Sequence, residues 1–301
     1  MAARNARFSL IAATLVAVVG SATPALALDN DPDLHRLCVG FNPEFDPRSE
    51  RACGNAPKPD QSAFRDLSRE YGMALAPSLL SPAETLGING FQFNAQISIT
   101  TINADKAYWS RGVEDQDAPA ALVATRLDAR KGLPYSFEIG MSGTYLMESE
   151  LWMLGGMVKF SPNEAVDALP VDLAVRGTFG RLVGSPQLEL TTAGLDLVVS
   201  RGFGVGGVVN IAPYMAYSPV FLFARSGVID VTPAVNDGAP RPSEVSQASI
   251  ENSFIVFDEE QQTIHRFVIG ARFVLGAFNF TPEVALTQGL QSYNINIGLD
   301  F

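Results

Sequence analysis

Basic residues, cysteines and histidines are all scarce in this chain, and beyond its first few dozen residues long apolar runs are absent. It carries 21 Lys and Arg against 32 Asp and Glu. A balance this acidic does not seek nucleic acid through its phosphates. The two cysteines have only one of the two histidines, His35, nearby, a poor ligand set for a metal, and no cofactor or metal site is expected. Hydrophobic residues nevertheless make up 47% of the chain. After position 28 no stretch approaches the roughly 18 consecutive apolar residues that mark a membrane helix. An apolar-rich chain without helical spans is a large soluble β core or a membrane barrel, because only helices and closed barrels cross lipid with every backbone group paired.

The first 27 residues read as a secretory signal peptide: Arg4 and Arg7 form a basic head, Leu10 to Val19 an apolar run, and Ala25-Leu26-Ala27 a small-x-small cleavage site. Cleavage there removes two arginines and no acids, leaving 21 − 2 = 19 basic residues against 32 acidic ones, a net charge of −13. Cys38 lies eleven residues past the cut and Leu37 precedes it without a small-residue lipobox, so no lipid anchor is expected. Cys38 and Cys53 are predicted to form a disulfide in an oxidising compartment. Closing that loop stabilises the segment by about 3 kcal/mol on chain entropy. The alternative, a metal site with His35 nearby, has a poor ligand set. Residues 28–87 form an N-terminal segment, periplasmic or inserted as a plug. Within it Asp60 or Ser62 starts a short helix with Phe64, Leu67 and Tyr71 on one face, stopped by Ala76-Pro77 and Ser81-Pro82.

From Ile88 onward the periodicity is two. Strands are expected at 88–102, 119–131, 135–147, 151–161, 170–182, 187–200, 207–217, 263–275, 277–287 and 290–301. Lys131-Gly132-Leu133-Pro134 reads as a tight turn. In the sixth strand Leu188 and Leu190 share one parity while Ala193, Leu195, Leu197 and Val199 share the other. A bulge near Thr191 reconciles them. Ten strands follow, or twelve if 73–87 contributes. Connections after even-numbered strands are short, whereas those after odd-numbered strands include the long 103–118 and 218–262, the asymmetry of short periplasmic turns and longer external loops. Aromatics fall at both strand ends: Tyr145, Trp152, Tyr217 and Tyr293 at one, Tyr135, Phe160, Phe278 and Phe301 at the other. A soluble sandwich has no reason for two such girdles.

In the last strand Tyr293, Ile295, Ile297, Leu299 and Phe301 occupy one face and Asn294, Asn296, Gly298 and Asp300 the other. This ending is similar to the C-terminal assembly signal of outer-membrane barrels. With the leader and the alternating strands, residues 88–301 resemble a bacterial outer-membrane β-barrel protein, porin-like but of no particular subfamily. The resemblance implies an all-β fold, a transmembrane antiparallel up-and-down barrel. It also implies location in the cell outer membrane, contact with outer-membrane lipid and lipopolysaccharide, and recognition by the barrel assembly machinery through the C-terminal strand.

No catalytic constellation emerges, and an enzyme is not expected. His265 has no acid two residues before it, and the His-x-Ser of barrel phospholipases is absent. Gly202-x-Gly204-x-x-Gly207 matches a dinucleotide fingerprint in letters but precedes another strand. Asp29, Asp31 and Asp33 lack the length and glycine of a calcium loop. The inward charges Arg126, Asp128, Arg130, Glu138, Lys159, Asp172, Arg176, Asp196, Arg272 and Glu283 carry both signs. They make either a closed structural network or a thin polar conduit. The leading expectation is a passive pore or carrier for small solutes, hydrophobic ones included. The alternative is a non-conducting structural or surface-interaction barrel that works through loops 103–118 and 218–262.

Overall fold

The computed structural model describes residues 29–42, 52–54, 57–113, 118–162, 170–232 and 253–301. The expected leader, 1–27, and parts of the expected connections 103–118, 162–169 and 218–262 lie outside them. Ten strands form the barrel: β1 (Phe91–Thr101), β2 (Ala121–Leu133), β3 (Phe137–Leu146), β4 (Trp152–Phe160), β5 (Asp172–Val183), β6 (Leu188–Ser200), β7 (Val209–Ser226), β8 (Glu260–Leu275), β9 (Phe278–Thr287) and β10 (Leu290–Asp300). Each pairs antiparallel with its sequence neighbours. The cylinder closes where β1 meets β10, from Gln92↔Asp300 to Thr100↔Ser292. The segment 73–87 adds no strand.

The two faces of this wall obey the alternation. On β1, Gln92, Asn94, Gln96, Ser98 and Thr100 are buried inside, and Phe93, Ile97 and Ile99 are exposed outside. The same sorting places Leu127, Met141, Leu154, Val158, Phe179, Leu195, Leu197, Phe267, Ile269, Ile295 and Ile297 on the exterior. A greasy outside and a polar inside invert a soluble protein, and are what lipid requires of a barrel. Aromatic pairs edge the band, with Tyr145 against Trp152 at 4.9 Å and Phe137 against Phe160 at 4.8 Å. Among the described residues no helix is long and apolar enough to cross a membrane.

Three local expectations are corrected. No bulge interrupts β6: its pairing with β5 runs unbroken from Arg181↔Thr191 to Asp172↔Ser200. Even-numbered residues face inward along the strand, so Leu188 and Leu190 are buried inside. They are apolar because protein, not water, covers them at that mouth. The expected turn at Lys131–Pro134 lies later, because β2 continues to Leu133 and the chain reverses at 134–136, with Tyr135 and Ser136 at φ of 63° and 61°. Gly132 is a strand residue in close approach: a Cβ there would lie 1.9 Å from Gly87 O. Finally, β7 runs to Ser226, far past the expected end at 217, and β8 starts at Glu260. Its inward Val220, Leu222 and Ala224 are buried and its outward Phe221 and Phe223 are exposed. With both faces apolar, the period of two disappears from the sequence. The Gly202–Gly207 stretch is a reversal between β6 and β7, with Gly206 and Gly207 at φ of 60° and 71° and a short ribbon, Phe203–Val205, pairing back onto β7.

Inside the barrel stands helix α1 (Gln61–Leu75). The Asp60 carboxyl caps it by accepting from the Ala63 N–H at 3.1 Å. It ends at Ala76, held extended (φ −57°, ψ 145°) ahead of Pro77, as residues before proline usually are. Phe64, Leu67 and Tyr71 are buried, each stabilising the packed state by roughly 1.5–3 kcal/mol.

Candidate functional site: a strap in the lumen and a cap on one mouth

From the foot of α1 the chain runs as an extended strap down the lumen to β1. Seven strands reach it with polar side chains aimed at its main chain. From β2, Arg126 Nη2 donates to Leu75 O (3.3 Å) and Ala76 O (2.9 Å). From β8, Arg266 Nη2 donates to Pro77 O (3.1 Å). Arg176 Nη1, on β5, donates to Ser78 O and Leu79 O at 3.0 and 2.9 Å. Glu283 Oε2 on β9 accepts from the Leu80 N–H at 2.6 Å, and Ser200 Oγ on β6 from the Ala83 N–H at 3.0 Å. Lys159 Nζ, on β4, serves Pro82 O (3.4 Å) and Glu84 O (2.8 Å), and Glu138 Oε2, on β3, accepts from the Leu86 N–H at 3.2 Å. A chain in extended conformation makes no internal hydrogen bonds, and a buried unpaired backbone group costs as much as a lost bond. The wall charges supply the missing partners.

Three of these six charges are also ion-paired, and neighbouring wall charges pair as well. Arg176 meets Asp196 at 2.5 Å, Lys159 meets Glu138 at 3.1 Å and Arg130 meets Asp128 at 3.0 Å, all buried. Arg272 meets Asp300 at 2.5 Å nearer the strand-terminal mouth. Asp172 is half-buried at the start of β5. The sequence placed Arg266 and Asp300 on the polar faces of their strands but not among the named inward charges. Their alternation with Phe267 and Leu299 is the signal that finds them. The other half of the lumen is apolar: Leu79 and Ala83 of the strap pack in a cluster with Val198, Tyr214, Val220, Ile264 and Val268. Beside the strap, a cavity bounded by Pro77, Ser78, Arg126, Asp128, Arg130 and Arg176 measures about 20 Å³, room for one or two waters.

The mouth opposite the strand termini carries a cap. The Cys38–Cys53 disulfide is formed, with Cα atoms 5.7 Å apart. Asn30 N donates to Glu148 O (2.9 Å) and its side chain to Met147 O (3.0 Å), while Leu34 N donates to Gln187 Oε1 at 2.6 Å. These tie the N-terminal segment to the β3–β4 and β5–β6 connections. Pro32 bridges Val113, and Arg36 donates to Val113 O. A short helix α2 (Ala107–Gly112) in the β1–β2 connection folds over α1.

Glu70, on α1, joins the two, and no sequence signal marked it: a lone Glu on an otherwise apolar face. It is 2% exposed and accepts from Asn103 N (3.0 Å), Asn103 Nδ2 (2.5 Å), Tyr108 OH (2.7 Å) and Trp109 Nε1 (2.6 Å). Burial and then the Glu70 carboxyl push the Tyr108 hydroxyl above its ordinary pKa. Burial also raises the Asp60 carboxyl, but hydrogen bonds from Ser62, the Ala63 N–H and Arg111 outweigh it and hold Asp60 below the ordinary value. Gln61 exchanges hydrogen bonds with the main chain of Asp258 (3.0 and 3.1 Å), and Phe64 stacks on Phe257 at 4.6 Å. The β7–β8 connection thereby joins the cap.

The remaining sequence candidates do not converge. His265 is exposed on the outer wall, 2.6 Å from Tyr217 OH. Among the described residues no group of three or more His, Cys, Asp or Glu is placed to hold a metal. Tyr293, Ile295, Ile297, Leu299 and Phe301 lie on the exposed outer face of β10 and just beyond it.

No family model and no curated protein sequence matches this chain. Among solved structures it is similar in fold to Ail, the attachment invasion locus protein of Yersinia pestis, at 7% identity and a TM-score of 0.30, over 71% of this chain and 99% of that one. It is likewise similar to the N-terminal β-barrel domain of Pseudomonas aeruginosa OprF, at 11% identity and a TM-score of 0.27, over 71% and 99%. The β domain of the Bordetella autotransporter BrkA gives 11% and 0.31, over 71% and 100%. The closed cylinder itself, apolar outside and polar within, carries the conclusion: the chain folds as a transmembrane antiparallel β-barrel.

Proposed function

We propose that this protein is a non-conducting barrel whose working surface is the cap at the mouth opposite its strand termini. The observation that carries this is the strap. Ten hydrogen bonds join its main chain, from Leu75 to Leu86, to side chains of seven strands, counted as two each for Arg126, Arg176 and Lys159 and one each for Arg266, Glu283, Ser200 and Glu138. Opening a conduit means withdrawing the strap, which leaves buried charges and carbonyls unpaired at about 1–3 kcal/mol each. Pore or carrier activity, the leading expectation from sequence, would require that the strap be displaced. What the fold offers instead is a surface made from residues 29–42, 52–54 and 57–60 with the described parts of the β1–β2 connection (102–113 and 118–120) and of the β7–β8 connection (227–232 and 253–259), facing outward by the usual barrel asymmetry. The wall's own partner is membrane lipid.

The test is planar-bilayer recording with the full purified chain. The expected record is flat. Discrete, reproducible conductance steps from the unmodified chain would return the pore reading.

A further inference from the structure

The outer wall is not evenly filled. Around the seam where β10 meets β1, Phe93, Leu127, Met141 and Ile297 stand out from it, all exposed. Their cross-strand neighbours Ala95 and Ala129 recede between them: Ala95 pairs with Leu127 and Ile297, and Ala129 with Phe93 and Met141. These side chains border an open groove of about 790 Å³, within the range of about 300–1,000 Å³ of small-molecule sites. Asp128, which backs the groove, is buried on the lumen side and paired with Arg130 at 3.0 Å.

The groove lies in the lipid-facing band, so it opens on acyl chains rather than on water. Lipid tails are as apolar as its lining, and the hydrophobic effect gives no preference for one lipid over another. Shape alone favours filling it, since an empty recess forfeits dispersion contacts with its walls. Whatever selects an occupant must be polar and within reach of a headgroup.

One residue meets that requirement. The outward positions of β2 read Leu127, Ala129, Lys131. Among the outward side chains of β1, β2, β3 and β10, Lys131 alone is charged. It stands about 7 Å along the strand from Ala129, toward the strand-terminal mouth. Its Nζ donates to Ile88 O (3.0 Å) and Gly90 O (3.3 Å). Those two carbonyls hold the ammonium at the end of the groove and use two of its three donors.

We propose that this groove binds one anionic glycerophospholipid, with an acyl chain along Ala95 and Ala129 and the headgroup phosphate on Lys131. A zwitterionic headgroup brings its own ammonium, which competes for the phosphate, so a net negative headgroup is favoured. One lysine near a membrane surface implies a preference of about fivefold. The same face of a second copy offers Lys131 no counter-ion, because the outward side chains of these four strands include no acid.

The test uses the full purified chain in neutral detergent. It is given equal amounts of phosphatidylglycerol and phosphatidylcholine with identical acyl chains, and retained lipid is counted by native mass spectrometry. Phosphatidylglycerol is expected to be retained over phosphatidylcholine by about fivefold; equal retention overturns the headgroup contact. Lys131→Gln should bring the ratio to one, and Lys131→Arg should keep it. A parental ratio in Lys131→Gln overturns the role of Lys131. If Lys131→Gln yields no heat-resistant species on gels, the parent at about 1 M salt decides, where charges are screened beyond about 3 Å: the ratio falls toward one, or the proposal fails. Ala95→Leu combined with Ala129→Leu fills the recess from the lipid side and should lose the bound lipid; undiminished retention overturns the groove. Lipid-free dimers in the same spectra would assign the face to a second copy and overturn the proposal. The lipid count reads the outer wall alone, so conductance steps in the bilayer would return the pore reading and leave this site standing.

Discussion

Replacing Glu70 with alanine should release the cap while leaving the barrel intact. One carboxyl gathers four donors from the β1–β2 connection, beside the packing of Trp109 on Tyr71 at 5.2 Å and the Arg111–Asp60 ion pair at 3.0 Å. Trp109 is fully buried. Without Glu70 its indole N–H, 2.6 Å from the carboxyl, and the Asn103 main-chain N–H, at 3.0 Å, lose their acceptors. Each stranded donor costs about 1–3 kcal/mol, giving about 2–6 kcal/mol for the two. The Tyr108 hydroxyl and the Asn103 amide lie nearer solvent and recover water. Alanine is the best helix former, so α1 itself is not weakened. The whole cost therefore falls on the closed cap. Even its low end shifts the opening equilibrium of residues 103–113 by about thirtyfold. Hydrogen exchange in detergent micelles reads this directly, with strand amides of β1 and β10 as internal reference. Amides across Asn103–Val113 should exchange at least about thirtyfold faster in Glu70→Ala. Glu70→Gln keeps the shape but turns one acceptor oxygen into a donor, so about half the loss is expected. Unchanged exchange in the connection would refute the clasp, as would an increase shared equally by the strands.

Three further outcomes follow from the packing and charge of the lumen and cap. Gly132→Ala sets a Cβ 1.9 Å from Gly87 O, backbone against backbone. Overpacking of about 1–3 kcal/mol or more should deplete the heat-resistant species on gels, while Gly177→Ala, with nothing within 4 Å of its Cβ, should not. Arg176→Met leaves Asp196, 0% exposed, without its cation and should cost about 3–5 kcal/mol. Adding Asp196→Leu should recover only part of that in thermal unfolding, because the Ser78 and Leu79 carbonyls stay unpaired; full recovery would show that the strap contacts contribute nothing. Asp60 is held below its ordinary pKa of 3.8. Its contribution to the start of α1 is therefore complete above that value and lost as pH falls from there through the lower folded value. Protease nicking near residues 60–64 should rise as pH falls below about 4, and Asp60→Ala should show no such rise.

The amino-acid sequence by itself determined the barrel. Alternation is a local property: each residue's parity fixes its face, and a lipid-facing wall makes the outward parity apolar from Phe93 to Leu299. The helix start at Asp60 or Ser62 and the pause at Ala76-Pro77 are likewise set within a few residues of where they occur, whereas the sequence leaves ten strands against twelve open. Only the tertiary structure decided what fills the cylinder. The sequence wrote Leu188, Leu190, Val220 and Leu222 as breaks in the pattern because their partner is the N-terminal segment, more than a hundred residues away. Gly132 looked like a turn because the backbone it clears, at Gly87, is distant in sequence. The inward charges were legible as charges, but not as partners of strap carbonyls. An extended segment has no periodicity to announce it, and its hydrogen bonds are made to strands whose position around the barrel exists only once β1 has met β10. Glu70 was silent for the same reason, since its four donors reach it only after the β1–β2 connection folds back over the mouth.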